Sequence, residues 1–171
     1  MKTLEQQMAF YAAYHQDARN KATHFVGVPA IMLALFIPLA WLRVEAGGVP
    51  ITAAMVLGAA VLLYYFLLDV PLALLMLAVT ALLIALAQAI AALGAVQAWV
   101  AFGILFVGGW TLQLVGHAFE GRKPALADNL FQVFVAPIFL CAEIFFALGY
   151  KEELRAAVER RGKEAAMRGN K

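Results

Sequence analysis

The sequence predicts an all-α fold: a polytopic membrane helical bundle of four to five apolar helices, preceded by an N-terminal interfacial amphipathic helix. Three observations predict it. Hydrophobic residues make up 64% of the 171 positions and charged residues 14%, with a mean hydropathy of +0.82, a composition outside the soluble range. The charges are segregated: between Arg43 and Glu120 the only Asp, Glu, Lys or Arg are Glu45 and Asp69, whereas eleven charged residues fall at or after Lys151. The charge-poor stretches have lengths near the roughly 20 residues that a membrane crossing needs.

Each element follows in order. Residues 3–18, "TLEQQMAFYAAYHQDA", place Leu4, Met8, Tyr11 and Tyr14 or His15 at helical spacing, which suits an amphipathic helix at the membrane surface. A first span is expected over residues 24–42, bounded by Lys21 and Arg43, and a second over residues 51–68, closed by Asp69 and Pro71. Residues 70–119 carry no Asp, Glu, Lys or Arg before Glu120 and would form a helix of about 75 Å, too long for one crossing. A break at residues 94–97 divides them into a third span, 72–93, and a fourth, 98–115. The fifth apolar segment, 130–150, is interrupted by Pro137 and Glu143, and it spans, kinks or re-enters.

Both flanks are basic, which favours four true spans plus one broken or in-plane helix, with both ends cytoplasmic. Residues 1–150 then form one membrane-embedded domain and residues 151–171 a charged, solvated helical tail. Residues 1–21 carry five charges and lack the apolar core of a cleavable signal, so the first span is expected to be retained. A net charge of +2 argues against a nucleic-acid partner, and the basic tail suits an anionic membrane surface. Cys141 is the single cysteine, which excludes an internal disulfide and a cysteine cluster for zinc or iron–sulfur chemistry.

Two polar clusters stand at the rims of the apolar segments. In "YHQDARNKATH", His15 and His24 are nine positions apart and would face opposite ways on one unbroken helix. Asn20 can cap a new helix beginning at Lys21, so that the chain bends and both rings turn inward. In "QLVGHAFEGRKPAL", Gln113, His117 and Glu120 are spaced by four and three and share one helix face, with Gly116 allowing close approach. The end of a fourth span returns to the side where the first began, so three histidines and a glutamate can converge there. Imidazole and carboxylate suit iron, zinc or manganese, and histidines with a carboxylate and open positions fit a non-haem Fe(II) oxygenase. The residues alone leave open a plainer reading: histidines that anchor helices, Glu120 paired with Arg122 or Lys123, and Asn20 and Gln113 as cap and interhelical bond. Glu143, deep in an apolar run, is either functional or a protonated or paired acid that steadies the break near Pro137.

These stretches, with "APIFLCAE" after them, resemble a family of small membrane proteins: the fungal endoplasmic-reticulum 2-hydroxy fatty acid dioxygenase and its bacterial relatives. His15, Asn20, His24, Gly27 and Pro29 meet its first motif; Gln113, Gly116, His117, Glu120 and Pro124 meet its second. The similarity runs from about Tyr11 to Tyr150, and only the two polar motifs are specific. The resemblance implies an Fe(II)-dependent α-oxidation that uses O₂ to shorten a 2-hydroxy fatty acid by one carbon, the substrate's carboxylate and 2-hydroxyl being able to chelate iron. It implies His15, His24, His117 and Glu120 as metal and catalytic residues, with Asn20 and Gln113 orienting ligands or substrate. It implies an integral membrane protein among membrane lipids, in the inner membrane of a bacterium or the endoplasmic reticulum of a eukaryote. On physical grounds alone, Arg19, Lys21, Arg122 or Lys123 can receive the substrate carboxylate.

The rivals belong to other classes. A non-catalytic membrane protein that binds lipid or a partner needs its histidines only to hold helices together. A bis-histidine haem carrier lacks two histidines at same-face spacing within one span, and a zinc hydrolase lacks the "HExxH" helix.

Overall fold

The computed structural model describes residues 3–168; the last three residues of the expected tail lie outside the described residues. The fold is all-α, with seven α-helices and one short hairpin among the described residues. These are α1 (Leu4–Ala12), α2 (Ala18–Leu39), β1 (Arg43–Ala46), β2 (Val49–Thr52), α3 (Ala53–Leu68), α4 (Val70–Ala92), α5 (Ala95–Glu120), α6 (Gln132–Ala147) and α7 (Glu152–Arg168). Two compact units divide the chain: Met1–Phe25 with Gln113–Lys171, and Val26–Leu112.

The Val26–Leu112 unit is built by apolar helices with small residues at their contacts. Its core holds Phe36, Ile37, Ala54, Leu83, Ala87 and Ala98; the alanines let helix backbones approach closely. α2, α4 and α5, of 22, 23 and 26 residues, are long and apolar enough to cross a membrane, whereas α3 and α6 are shorter. The expected break falls at Gly94, and Asp69 starts α4 by accepting the N–H of Leu72 at 3.0 Å. The first span ends earlier than expected, at Leu39, because residues 43–52 form a hairpin in which Arg43 pairs with Thr52. Its two-residue turn is Gly47–Gly48, both at positive φ (60° and 78°), the geometry that matches the twist of paired strands.

In the other unit, α1 opens with a capping box between Thr3 and Gln6. The apolar face read from its sequence is buried: Met8 and Tyr11 are packed, and α1 lies against α6 and α7. α7 is charged, as expected, yet it is docked. Val158 is buried, the Gly162 backbone comes close to Ala12, and Arg161 binds Glu5 at 2.9 Å. α6 continues through Pro137, and its Glu143 is a paired acid, 2.8 Å from Lys21 Nζ.

α2 begins at Ala18, not Lys21, which corrects the expected cap. Asp17 does the capping: its Oδ1 accepts the N–H of Arg19 at 2.8 Å, and the Arg19 guanidinium beside it holds the carboxyl down at about 2. Asn20 lies inside the first turn, which frees its side chain for the site.

Candidate metal centre

His15 stands in the bend between α1 and α2, His24 on the second turn of α2, and His117 on the last turn of α5. All three are buried, and one ring nitrogen from each lies within 4.8 Å of the others. The bend brings together two histidines that a single helix would have held apart: His15 Nε2 and His24 Nε2 are 3.1 Å apart.

Their partners fix which nitrogen carries hydrogen. His15 Nδ1 is 2.8 Å from the Tyr11 carbonyl, and His24 Nδ1 is 2.8 Å from the Asn20 carbonyl. A carbonyl only accepts, so both Nδ1 atoms donate, and in neutral rings both Nε2 atoms carry lone pairs. Two lone pairs then face each other across 3.1 Å, an arrangement that needs a cation between them, either a shared proton or a metal ion. Burial pushes the His15 imidazole well below its usual range, and the charge of a protonated His24 would push the same way, which disfavours the proton.

The residues therefore fit a metal. An ion about 2.1 Å from each nitrogen keeps neighbouring ligands roughly 3.0–3.4 Å apart; the His15–His24 pair has that spacing at 3.1 Å, and His117 lies within 4.8 Å of both. Carbonyls on the outer nitrogens are the usual support for metal-binding imidazoles. Four buried side-chain atoms lack a partner within the described residues, and three of them, His117 Nδ1, Gln113 Nε2 and Asn20 Oδ1, belong to the two polar motifs; the fourth is Gln132 Oε1. Buried polar atoms without partners are costly, so these residues have hydrogen-bonding capacity to spare for a bound group or water.

Glu120, expected among the ligands, lies outside this cluster of nitrogens. Its oxygens take the backbone N–H groups of Gln16 and Asp17, each at 2.8 Å, and Asn20 Nδ2 at 3.1 Å. Asn20 also donates to the Tyr14 carbonyl at 3.1 Å, so it ties the bend to α2. Gln113 sits one turn before His117 on the same helix, buried.

The four basic residues proposed for the substrate carboxylate all have partners. Arg19 binds Asp17 and lies over the Phe119 ring; Lys21 binds Glu143; Lys123 binds Asp128; Arg122 donates to the Ala13 carbonyl. Lys21 and Glu143 also line a cavity of about 380 Å³ together with Gln16, Phe146 and Arg155.

Two neighbours escaped the sequence reading. Tyr11 stacks on His15 with ring centroids 3.9 Å apart and planes 7° from parallel, and Phe139 lies 4.8 Å from Tyr11 and 6.2 Å from His15. The four-residue spacing of Tyr11 and His15 was the available signal; Phe139, more than a hundred positions away, lies in the "APIFLCAE" stretch, but its spacing there gives no sign of a contact with His15.

A helical protein with helices of membrane-crossing length and a buried histidine triad suited to a metal is the class that fold and site define. Comparison with known proteins makes the class specific. The chain belongs to the Mpo1-like family, described as "2-hydroxy-palmitic acid dioxygenase Mpo1-like", whose profile matches residues 1–148. It is similar to the 2-hydroxy-palmitic acid dioxygenase MPO1 of Saccharomyces cerevisiae, at 35% identity over 163 residues, covering 91% of this chain and 87% of the yeast protein. No solved structure matches.

Proposed function

We propose that this protein is an Fe(II)-dependent dioxygenase that α-oxidises 2-hydroxy fatty acids and shortens them by one carbon. The observation that carries the reading is the pair of facing Nε2 atoms of His15 and His24, with His117 beside them: this donor set suits an ion and leaves positions open. The name of the yeast relative supports a 2-hydroxy fatty acid as substrate. Bound there, a ferrous ion would supply the O₂ chemistry that amino-acid side chains lack.

The chain's own groups do the rest. His15, His24 and His117 would hold the ion, and the carbonyls of Tyr11 and Asn20 fix two of the rings. Tyr11 and Phe139 wall His15 from water, which strengthens polar interactions inside. Gln113 Nε2, an unpartnered amide donor, is available to acceptor atoms of the substrate, and the unpartnered His117 Nδ1 is available to a substrate polar atom. Lys21, three residues before His24 on α2, is the best placed of the four cations to draw in the carboxylate, in competition with Glu143.

The test is protein purified without oxygen in detergent. Near-stoichiometric iron, O₂ uptake that depends on 2-hydroxypalmitate, and a product one carbon shorter are expected. His24→Ala and His117→Ala should each abolish iron retention. Protein that binds lipid fully yet holds no iron and consumes no O₂ would favour the non-catalytic alternative.

A further inference from the structure

Glu120 is the last residue of α5, where the helix dipole disfavours a carboxylate. Gly121 closes that helix, and the Arg122 N–H bonds back to the His117 carbonyl at 3.3 Å. What stabilises the Glu120 charge lies on the other polar segment. Two consecutive backbone N–H groups, Gln16 and Asp17, meet its two oxygens at 2.8 Å each, and Asn20 Nδ2 adds a third donor at 3.1 Å. Short bonds to a carboxylate are the stronger kind.

These three bonds bear on both facing histidines. Gln16 directly follows His15, so fixing its N–H fixes the peptide that leaves His15. Asn20 supplies the carbonyl that orients His24, and its amide is held by Glu120 and by the Tyr14 carbonyl. One carboxylate thus braces the bend on both sides of the 3.1 Å Nε2 pair.

We propose that Glu120 is a positioning residue and not a ligand: a carboxylate clamp that sets the spacing of His15 and His24. The proposal rests on the reading of the triad as a metal centre. Glutamine cannot replace the carboxylate, because its amide nitrogen would meet one of the N–H donors head-on.

The experiment uses full-length, metal-free protein in detergent: wild type, Glu120→Gln, Glu120→Asp and Glu120→Ala, each checked for helix content by circular dichroism. Hydrogen exchange should be at least about tenfold faster at Gln16 and Asp17 in Glu120→Gln and Glu120→Ala, since both lose bonds to the carboxylate. Cobalt(II) then reports the coordination sphere. Glu120→Gln should bind it about 10–100-fold more weakly with visible bands at unchanged positions, and Glu120→Asp should recover part of the affinity. Unchanged exchange at the two amides in the folded variants, or shifted bands in Glu120→Gln as from a lost ligand, would overturn the clamp. Wild-type protein that takes up no cobalt would overturn the metal-centre reading itself, an outcome distinct from either.

Discussion

Gly116 has no side chain, yet the space around it decides whether two segments can meet. A Cβ there would lie 2.5 Å from Asn20 Oδ1 and 3.3 Å from His24 Nδ1, and it would collide with Thr23 Oγ1. Gly116→Ala should therefore cost about 1–3 kcal/mol by overpacking. It should also lower the iron retained per chain, because the added methyl presses on the His24 ring itself and on the Asn20 and Thr23 side chains beside it. Gly108→Ala is the control: nothing lies within 4 Å of its added Cβ, so iron content should stay at the wild-type value and the thermal midpoint should not fall. At this scale much of the candidate site was legible. The histidines stood out as polar residues at apolar rims, the spacing of Gln113, His117 and Glu120 gave their shared face, and Gly116 beside them signalled a close approach. The role of Glu120 was not legible, since two of its three partners are backbone N–H groups a hundred residues away that any sequence would possess.

Elements were legible where a boundary had a chemical marker. Asp69 and Gly94 mark the ends of apolar runs, and α3, α4 and α5 begin or end there. The start of α2 was misplaced because Asp17 and Asn20 are both good caps, and only the tertiary demand of Glu120 on the Asn20 amide decides between them. The hairpin was missed because the apolar run from residue 51 onward made residues 51–52 read as the start of a span, although the Gly47–Gly48 pair carried the turn signal. Capping makes a prediction separable from the site. Asp69→Ala removes the acceptor of the Leu72 N–H and should destabilise the protein by about 1 kcal/mol, seen as a lower midpoint in thermal or denaturant unfolding. Iron content should not change, because Asp69 belongs to the other compact unit.

At the scale of the whole chain, packing constrains how often it crosses a membrane. α1 lies against α7, and His24 at the start of α2 meets His117 at the end of α5, so these parts share one side. The number of crossings between them is then even. The three longest apolar helices supply an odd number, and α3 is the remaining apolar helix between α2 and α5. At 16 residues α3 is about 24 Å long, short of the roughly 30 Å hydrocarbon core, a mismatch that local thinning accommodates. Its surface agrees with lipid contact: Leu63 and Leu67 are 64% and 67% exposed, like Ile104 on α5 at 68%. The expected topology is four crossings, by α2, α3, α4 and α5, which would put positions 48 and 94 on one face of the membrane and position 69 on the other. Single cysteines placed at 48, 69 and 94 in a Cys141→Ser background test this in sealed vesicles with a membrane-impermeant thiol reagent. Positions 48 and 94 should label together from one face, and position 69 should label from the other along with a tag on either terminus. Labelling of 48 and 69 from the same face would mean that α3 does not cross, and the even count would have to be met by another helix.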